Sequence, residues 1–482
     1  MAVKQLIEAP LVVVTNREPY VDEHSESGIR TIQKAGGVVS ALDPLLQETG
    51  GQWIAWGSGS ADIEVSPGGK REVPPEHPCY TLHRIVLNPE EVQGYYAKYS
   101  NQGLWPLSHM LIERAQFSRR AWQVYRNVNQ KFAKRVNSVS PEGAWIFSHD
   151  YQLSLLPALV RKSRPDVAIV HFWHIPWPPL TIFRLCPQHQ EILRGLLGAD
   201  VLGFQSQLDV DNFLNAIERM LKLPVDHNTG IITVGDRKVR VKAFPISIDF
   251  EAIQKLLNMP RIQRWVRGIR RHIDYRNQIL GISVDRADYT KGLLARLDAI
   301  KEFYSLYPQY LKRVTYVQVV VPSRTEVAEY RRFYERVSQK TQELNQLFGT
   351  SSWSPIITLP HSIDRPRLMG LFRAADFAVV SSLVDGMNLV AKEFVAAQID
   401  KQGVLLLSET TGAANELENE AFPINPLDPE GFANTLHAAL TVSVEERAAR
   451  IAAMRMHLKQ NTIYDWMEDI FLTLKMAAQS YV

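Results

Sequence analysis

The feature that most restricts the fold of this chain is an alternation of short apolar runs with longer amphipathic segments. Eight runs rich in aliphatic and β-branched residues predict strands, at 11–15, 144–148, 167–173, 201–204, 278–284, 314–321, 377–382 and 404–408. They are apolar almost throughout, as expected of strands covered on both faces. Segments with helical periodicity lie between them, among them 261–276, 291–306 and 323–348. The pattern predicts an α/β fold built from successive βαβ units with parallel sheets.

The length of the chain indicates two domains. Its 482 residues exceed what one hydrophobic core usually serves. We predict a boundary near 244–250, where a strand-like segment ends in Pro and Asp and a new helical pattern begins. We therefore expect an N-terminal Rossmann-like domain over 1–245, a C-terminal one over 246–460, and a cleft between them. A last helix within 461–482 has an apolar stripe, and we expect it to pack back on the N-terminal domain.

Composition and charge exclude several classes of protein. Lys and Arg number 54 against 51 Asp and Glu, and the net charge of +3 argues against a nucleic-acid-binding protein that works by bulk charge. No stretch reaches the roughly 20 apolar residues of a membrane-spanning helix, and the N-terminus lacks the pattern of a signal peptide. We therefore expect a cytoplasmic protein without nucleic-acid or membrane partners, and we leave a homo-oligomer open.

Polar side chains follow most of the predicted strands. Ligands of open α/β sheets bind beyond the carboxyl ends of the strands, so these positions are candidates for a functional site. They are Asn16, Arg17, His149, Asp150, His174, Asp285, Arg286, Asp288, Lys291, Ser323, Arg324, Asp385 and Gly386. One such residue would indicate little, because every strand must end somewhere. Their recurrence in both halves of the chain predicts one ligand site.

The segment DRADYTKG at 285–292 carries two cations in a loop that leaves a predicted strand. Arg286 and Lys291 can converge on one diphosphate, because a guanidinium binds it bidentately and an ammonium acts as a point charge. The alternative is a solvated surface loop with internal ion pairs to Asp285 and Asp288. Spacing alone does not decide between the two interpretations.

Two glycine-containing turns are candidate contacts for a phosphate or a sugar. Gly36 and Gly37 precede an apolar helix pattern at 38–46, whose N-terminus could bind a phosphate, although a glycine pair is more often a plain turn. The segment DGMNLVAKE at 385–393 indicates a strand end, a tight turn and a helix that carries Glu393. That carboxylate could bind ribose hydroxyls, or it could be an exposed helix charge paired with a Lys or Arg.

The sequence lacks the motifs of several common nucleotide and metal enzymes. It contains no Walker motif, no HExxH and no Gly-x-Gly-x-x-Gly after the first strand. The acidic pair Asp209 and Asp211 falls within a helical pattern and is a poor candidate for Mg²⁺. These absences favour a site without a metal or other cofactor, in which Arg286 and Lys291 neutralise a leaving group.

Several ordered motifs give nearly the whole chain a resemblance to a known family. They are TNR (15–17), AGG (35–37), YYAKYSN with LWP (95–106), HDYQL (149–153), HIPWP (174–178), LGFQ (202–205), DRADYTKG (285–292), VPSR (321–324), DGMNLVAKEF (385–394) and NEL (415–417). In order and spacing they resemble the trehalose-6-phosphate synthases and the related glucosylglycerol-phosphate synthases. The resemblance implies the GT-B architecture, in which two Rossmann-like domains face a cleft.

The resemblance implies a donor site for a nucleotide sugar, UDP-glucose or another NDP-glucose. In it Arg286 and Lys291 would bind the diphosphate and Glu393 the ribose, while His174 and Asp385 would bind hydroxyls of the glucose. The glycine pair would close over the donor. The implied donor residues are Gly36, Gly37, His174, Arg286, Lys291, Asp385, Gly386, Met387, Asn388, Leu389 and Glu393. The implied catalytic set is Arg286, Lys291, His174 and Asp385, with no protein nucleophile.

The resemblance also implies an acceptor site for glucose 6-phosphate. Its phosphate would be bound by four side chains, Arg17, Tyr96, Trp105 and Arg324. Asp150 would bind an acceptor hydroxyl. The implied reaction is a retaining transfer of glucose that gives α,α-trehalose 6-phosphate.

Departures from the family's pattern concern the acceptor and the loop over the donor. Thr181 stands where the family usually has an acidic residue, Trp177 replaces Phe, and Val384 replaces an Arg. The segment 18–34 also differs, and its opening is closer to the glucosylglycerol-phosphate synthases. Arg324 favours glucose 6-phosphate over glycerol 3-phosphate. The alternatives are a glucosylglycerol-phosphate synthase, a catalytically silent sugar-phosphate sensor, and a pseudo-glycosyltransferase that joins cyclitol units.

Overall fold

The chain divides into two units, which we call unit 1 (Met1–Ile246 with Ile463–Val482) and unit 2 (Ser247–Thr462). The structure is a computed structural model that describes residues 2–33, 37–275, 278–324, 327–359 and 363–479. The division between the units falls inside the segment 244–250, where the helical pattern of the second half was expected to begin.

Unit 1 is built on a mixed sheet of ten strands, and a separate hairpin. Its strands are β1 (Leu11–Arg17), β2 (Tyr20–Ser25), β3 (Gly28–Gln33), β4 (Gln52–Trp56), β5 (Lys70–Val73), β6 (Tyr80–Ile85), β7 (Trp145–His149), β8 (Ala168–Phe172), β9 (Val201–Phe204), β10 (Val225–Asp226), β11 (Ile231–Val234) and β12 (Arg237–Ala243). The sheet has the order β10-β11-β12-β9-β8-β7-β1-β4-β6-β5, and β2 pairs with β3 alone. The seven strands from β12 to β6 are parallel, whereas β5 pairs antiparallel with β6 at one edge, and β11 and then β10 extend the other edge from β12 through successive antiparallel pairs.

Helices flank this sheet in the manner of a doubly wound fold. They are α1 (Ala2–Leu6), α2 (Gly37–Thr49), α3 (Pro89–Glu91), α4 (Trp105–Ser108), α5 (Arg119–Val139), α6 (Leu156–Ser163), α7 (Leu180–Phe183), α8 (His189–Leu196) and α9 (Gln207–Ala216). A π-helix over Val92–Leu104 joins α3 to α4. The Ser118 side chain caps α5 by accepting a hydrogen bond from the Ala121 amide, and one face of the helix is buried.

Unit 2 contains a six-stranded sheet that is parallel throughout. Its strands are β13 (Ile279–Arg286), β14 (Val314–Val321), β15 (Ile356–Leu359), β16 (Phe377–Val380), β17 (Val404–Ser408) and β18 (Phe422–Ile424). Its helices are α10 (Phe250–Leu257), α11 (Pro260–Tyr275), α12 (Leu293–Leu306), α13 (Ala328–Phe348), α14 (Arg365–Ala374), α15 (Leu389–Ala397), α16 (Ala414–Leu417), α17 (Pro429–Thr441) and α18 (Val444–Gln460). The sheet order is β15-β14-β13-β16-β17-β18.

The two sheets share one connection order. Counted along the chain within each unit, the parallel strands read 3-2-1-4-5-6 in unit 2, and 3-2-1-4-5-6-7 in unit 1. The strand order reverses between β1 and β7 in unit 1 and between β13 and β16 in unit 2. Ligands of doubly wound sheets bind at such a reversal, beyond the carboxyl ends of the strands.

The last helix, α19 (Ile463–Gln479), packs on unit 1. Its Trp466 Nε1 donates a hydrogen bond of 3.1 Å to the Phe244 carbonyl. Phe471 stacks on Trp145 with ring centroids 5.9 Å apart. The apolar stripe of this helix is therefore core packing. Within the part of the chain that the structure describes, no helix combines the length and hydropathy needed to cross a bilayer.

The predicted α/β class with parallel sheets is confirmed, and each of the eight predicted runs contains a strand. Two helix starts were wrong. The helix expected from residue 291 begins at Leu293, because Tyr289–Lys291 forms a 3₁₀ turn, and the helix expected from 323 begins at Ala328. The sequence reading missed the other strands, among them β4 and β6 in the interior of the unit 1 sheet; β4 has only a four-residue apolar run after Gln52, and Thr, His and Arg interrupt β6.

Candidate functional site

Unit 2 brings two of the predicted motifs together where its strand order reverses. Arg286 is the last residue of β13, and Asp385 follows β16, the neighbouring strand. Lys291 Nζ donates a hydrogen bond of 2.5 Å to Asp385 Oδ2. The same oxygen accepts hydrogen bonds from Ser382 Oγ and Asn388 Nδ2, each 3.1 Å long. Three donors thus hold this oxygen of the carboxylate: Lys291 from one motif, Asn388 from the other, and Ser382.

Two glycines allow these loops to approach so closely. Gly292 has φ +64°, and a Cβ there would collide with the Ser381 carbonyl oxygen at the end of β16. A Cβ on Gly412 would collide with the carbonyl oxygen of Gly386 in the same way. Backbone hydrogen bonds join the loops as well, from Leu383 N to Thr290 O at 2.8 Å. Side chains at either glycine would therefore force Lys291 and Asp385 apart.

Asp285 and Asp288, the two acids of the DRADYTKG segment, are buried and form ion pairs with arginines that lie outside that segment. Asp285 Oδ2 accepts a hydrogen bond of 2.7 Å from Arg296, which is fully buried on α12. Asp288 Oδ2 accepts one of 3.0 Å from Arg324. Asp285 and Asp288 are thus not solvated, whereas Arg286 is exposed, and the charges of Arg286 and Lys291 still act on Asp288.

Several cations surround Asp288. Burial alone would raise the pKa of its carboxyl group, but the charges of Arg324, then Arg286 and Lys291, oppose it and hold the pKa below its usual value. Asp288 is therefore ionised at neutral pH. Its negative charge therefore interacts with Arg286 and Lys291, the two candidate diphosphate ligands.

Arg324 lies inside unit 2 in this structure. Besides Asp288, its Nη1 contacts the Tyr330 hydroxyl at 2.5 Å, and its guanidinium lies 5.1 Å from the Tyr330 ring centroid. The backbone at Arg324 has φ +50°, which is uncommon for a residue with a side chain. An acceptor phosphate could bind this guanidinium only by displacing or sharing the Asp288 partner.

The turn before α15 presents the backbone that was predicted to contact the donor. Asn388 has φ +100° and caps α15, because its side chain accepts a hydrogen bond of 3.1 Å from the Ala391 amide. Gly386 and Met387 are buried, and Leu389 is the first residue of the helix. The first N–H groups of a helix have no intrahelical partner, so those that Asn388 does not cap could donate hydrogen bonds to a ligand.

Glu393 lies one turn further along α15. Its Oε1 is 3.7 Å from Arg365 Nη2, and about a fifth of its side chain is exposed (21%). Burial raises the pKa of Glu393, and the charge of Arg365 opposes that rise. The carboxylate is thus partly sheltered rather than a plain exposed helix charge.

Unit 1 places Arg17 against two aromatic rings that also contact each other. Its guanidinium carbon lies 5.1 Å from the Trp56 ring and 4.8 Å from the Tyr96 ring, and Nη2 donates a hydrogen bond of 2.7 Å to the Tyr96 hydroxyl. Arg17 is exposed, whereas both rings are buried. The aromatic faces orient the guanidinium without neutralising its charge, which suits an anionic ligand.

Asp150 and His174 meet beyond β7 and β8. Asp150 Oδ1 accepts a hydrogen bond of 3.2 Å from the His174 amide. Asp150 has φ +72° and ψ 169°, a region that side chains rarely adopt. Such strain costs about 1–3 kcal/mol and is concentrated at functional sites.

The ring of His174 is held by two neighbours. Gln205 Oε1 accepts the Ile246 amide at 3.0 Å, so the Gln205 amide nitrogen faces His174 Nδ1, 3.5 Å away. On the other side, His174 Nε2 lies 3.0 Å from His149 Nδ1. Burial lowers the pKa of His174 to about 3, so the ring is neutral at pH 7. A sugar hydroxyl that bound this ring would replace one of the two neighbours.

The remaining predicted site residues are placed as follows. Trp105, the first residue of α4, is buried, and its ring lies 4.3 Å from His109 and 5.8 Å from Tyr151. Gly37 is the first residue of α2, and Gly36 lies outside the described residues.

Sequence reasoning missed three side chains of this site: Trp56, Ser382 and Gln205. Trp56 ends β4, the interior strand that the sequence reading did not recognise. Ser382 lay inside a predicted strand that in fact ends two residues earlier, at Val380. Among the described residues, no group of three His, Cys, Asp or Glu side chains is arranged to hold a metal ion.

Known proteins share this architecture. The family model for glycosyltransferase family 20 matches residues 9–476. A bifunctional trehalose-6-phosphate synthase/phosphatase from Thermoproteus tenax is 37% identical over 475 residues, which are 96% of this chain but only 63% of that protein. A trehalose-6-phosphate synthase from Mycolicibacterium smegmatis is 38% identical over 479 residues, 97% of this chain and 93% of that one.

The likeness extends to solved structures. The crystal structure of a UDP-forming α,α-trehalose-phosphate synthase from Burkholderia xenovorans, in complex with glucose-6-phosphate, superposes with a TM-score of 0.85 at 30% identity. The match covers 97% of this chain and all of that one (100%). Together with the two doubly wound sheets and their strand-end motifs, these matches establish the family. The chain belongs to glycosyltransferase family 20 and has the GT-B fold.

Proposed function

We propose that this protein transfers glucose from UDP-glucose to glucose 6-phosphate with retention of configuration, giving UDP and α,α-trehalose 6-phosphate. The observation that carries the proposal is the Lys291–Asp385 pair, which joins two family motifs at the strand-order reversal of unit 2. The names of the related proteins support the same substrates.

The donor would bind on unit 2. Arg286 is exposed at the end of β13, and Lys291 would exchange Asp385 for a diphosphate oxygen. Asp385 would then be released to accept hydrogen bonds from hydroxyls of the donor glucose. Glu393, on α15, would accept hydrogen bonds from the ribose.

The chemical step requires charge neutralisation rather than a protein nucleophile. As the bond between the anomeric carbon and the diphosphate oxygen lengthens, negative charge grows on the diphosphate and Arg286 and Lys291 stabilise it. The acceptor hydroxyl attacks the anomeric carbon from the face that the diphosphate leaves. Its proton passes to the departing phosphate oxygen, so atoms and charge balance. We propose that no divalent metal ion takes part, because two fixed cations already serve the leaving group.

The acceptor would bind on unit 1. Arg17, oriented by Trp56 and Tyr96, would bind the phosphate, and Asp150 would accept a hydrogen bond from an acceptor hydroxyl. His174 is neutral and would hydrogen-bond the donor glucose without adding charge. Trp105 would contribute an apolar wall.

One assay separates this proposal from its alternatives. The protein is incubated with UDP-glucose and either glucose 6-phosphate or glycerol 3-phosphate, and UDP and the phosphorylated product are quantified by chromatography. We expect turnover with glucose 6-phosphate and an α,α-linkage by NMR. Turnover with glycerol 3-phosphate alone would favour the glucosylglycerol-phosphate synthase, which the inward position of Arg324 makes the natural competitor. Binding of either acceptor without UDP release would indicate a silent sensor.

The metal proposal has its own test. Initial rates are measured with excess EDTA and with added Mg²⁺. We expect equal rates, and a loss of activity in EDTA that Mg²⁺ restores would contradict the proposal.

A further inference from the structure

Unit 1 contains a cavity of about 720 Å³ whose lining residues have no role in the proposed reaction. The cavity lies between the loop that follows β4, the end of β6 and one face of α5. Its volume falls within the range of about 300–1,000 Å³ that is usual for small-molecule sites. We call it the α5 cavity.

One wall of the α5 cavity is basic. It is lined by Lys131, Lys134 and Arg135, which we call the α5 cations, and by Ser138. Their spacing of i, i+3, i+4 and i+7 places all four side chains on one face of the helix. Lys131 and Lys134 are exposed and Arg135 is half-buried, so a ligand in the cavity can reach all three charges.

Two of the α5 cations have no acidic partner. Lys131 Nζ lies 2.5 Å from Glu91 Oε1. Neither Lys134 nor Arg135 forms an ion pair with any residue that the structure describes, and Arg135 Nη2 donates a hydrogen bond of 3.3 Å to the Gly68 carbonyl instead. These two charges are therefore available to an anionic ligand.

The acids near the cavity are engaged in the interior. Arg84, which also lines the cavity, forms ion pairs with three carboxyl groups that are at most 3% exposed: Glu18, Asp22 and Asp62. Arg71 contacts Asp22 as well, so two guanidinium groups face three carboxyl groups there. Together with the three α5 cations and Glu91, the whole group has five cations and four acids. The charges that extend into the cavity are the positive ones.

Arg84 also fixes the loop that forms a second wall. Its Nη1 donates a hydrogen bond of 2.5 Å to Ser66 Oγ and one of 3.3 Å to the Asp62 carbonyl. The Arg135–Gly68 hydrogen bond joins the end of the same loop to α5. The cavity is thus formed before a ligand arrives, which lowers the entropic cost of binding.

This second wall exposes apolar side chains. Ile63 in the loop is 70% exposed, and Val86, the residue after β6, is 51% exposed. Single exposed aliphatic residues are common at protein surfaces, but these two border one cavity together with the α5 cations. A ligand with an apolar face would remove both from water.

We propose that the α5 cavity binds a phosphorylated small molecule that carries an apolar or aromatic ring, such as a purine nucleotide. Its phosphates would accept charge-assisted hydrogen bonds from the α5 cations, and its ring would cover Ile63 and Val86. The inference is independent of the proposed function, because it uses no residue of the donor or acceptor site.

Isothermal titration calorimetry of the whole chain tests the proposal with three probes: ADP, inorganic pyrophosphate and adenosine. We expect ADP to bind most tightly, because it alone offers both a ring and phosphates. Its affinity should fall as salt is added, since salt screens the partly exposed α5 cations. Absence of ADP binding would overturn the proposal.

A charge-matched pair of variants locates the binding. Lys134→Gln/Arg135→Gln should weaken ADP binding by roughly tenfold, the loss expected for two partly exposed charge pairs. The control Arg119→Gln/Arg126→Gln removes two charges from exposed positions of the same helix that do not line the cavity, and should bind ADP as the wild type does. Equal affinities in the two double variants would contradict the assignment.

A single variant separates charge from loop geometry. Lys134→Gln leaves the Arg135–Gly68 hydrogen bond intact and should still weaken ADP binding by roughly threefold. An unchanged affinity would show that Lys134 does not contact the phosphates, and the site would be wrong.

Ile63→Ser tests the contact with the ring. It should weaken ADP binding by roughly fivefold, because less apolar surface is covered, and leave pyrophosphate binding unchanged. Equal effects on both probes, or none on ADP, would overturn the ligand class.

Arg286→Ala distinguishes this cavity from the proposed donor site on unit 2. ADP should still bind to that variant with the affinity that depends on Lys134 and Arg135. Loss of ADP binding in Arg286→Ala but not in Lys134→Gln/Arg135→Gln would place the nucleotide on unit 2 and contradict the inference. Failure of the transfer reaction itself would disprove the proposed function and leave these titrations as decisive as before.

Discussion

Lys291 Nζ and Asp385 Oδ2 lie 2.5 Å apart, although 94 residues separate them in the chain. Lys291 leaves the first parallel strand of unit 2 and Asp385 follows the fourth, and these strands are neighbours only because the connection order reverses between them. The pair is therefore a direct product of the fold. Each member neutralises the other, and in the proposed reaction the diphosphate would bind Lys291 while sugar hydroxyls would bind Asp385.

Removing the ammonium group should impair catalysis more than binding. We expect Lys291→Ala to lower kcat by roughly 100-fold to 1,000-fold, the usual effect of losing one electrostatic donor to a transition state. UDP release is measured under saturating UDP-glucose and glucose 6-phosphate. Lys301→Ala, on the exposed side of α12, is the control and should retain full activity. An undiminished kcat in Lys291→Ala would remove this residue from the catalytic set.

Replacing the guanidinium of Arg17 should affect the acceptor alone. Arg17→Lys keeps the charge but loses the planar group that lies against Trp56 and Tyr96. We expect KM for glucose 6-phosphate to rise by about tenfold, equivalent to about 1.4 kcal/mol, with kcat and KM for UDP-glucose little changed. Initial-rate kinetics with each substrate varied in turn provide the measurement. An equal rise in both KM values would argue against an acceptor-specific role.

The buried Arg296–Asp285 ion pair should be essential for the stability of unit 2. Arg296→Met would leave the buried Asp285 carboxylate without its cation, and breaking such a pair costs about 3–5 kcal/mol. The free energy of unfolding is measured by urea denaturation. Arg313→Met, at an exposed position, should change it by less than about 0.5 kcal/mol. A similar small effect in both variants would show that the pair is dispensable.

Stability should fall on acidification because burial keeps several histidines in the neutral form, among them His149 and His171 as well as His83 and His174. Burial lowers the pKa of His171 to about 3, and the pKa of His149 also lies well below its usual value, through burial first and then through His174 and His171. Between pH 6.5 and pH 3 the unfolded chain therefore binds more protons than the folded protein. Their stabilising contribution is complete above pH 6.5 and is lost as pH falls, by up to about 1.4 kcal/mol per pH unit for each histidine.

The acid-stability prediction is checked by urea denaturation at pH 7.0, 6.0 and 5.0, with the imidazole resonances followed by NMR. His77→Gln removes an exposed histidine and should leave the slope unchanged. Titration of His149 or His171 near pH 6.5 in the folded protein would contradict the prediction.

Sequence patterns predicted the parallel core of both sheets because those strands are apolar on both faces. They failed at β4, whose apolar run after Gln52 is only four residues long, and at β6, where His83 and Arg84 interrupt the apolar run. Arg84 is a charge inside a strand that no periodicity argument expects, since its balancing carboxyl groups come from three segments up to 66 residues away. The missed strand β4 also concealed Trp56, a direct neighbour of Arg17.

The sequence predicted which residues belong to the candidate site, but not which side chains pair with each other. Strand ends identified Arg17, Asp150, Arg286 and Asp385, because the loops beyond a parallel sheet must carry polar groups. The sequence could not show that Asp288 pairs with Arg324 rather than with Lys291, since that choice depends on the left-handed backbone at Arg324 and on Tyr330. Nor could it show that Gln205 and His149 hold His174 between them.

The repeated connection order of the two sheets has a consequence for how such proteins can diversify. Each unit supports its own polar loops on its own first and fourth parallel strands, β1 and β7 in one and β13 and β16 in the other. If the proposed function is right, substitutions after β1 and β7 would change the choice of acceptor, while the loops after β13 and β16 would still bind the nucleotide. Acceptor preference could then vary independently of the leaving group.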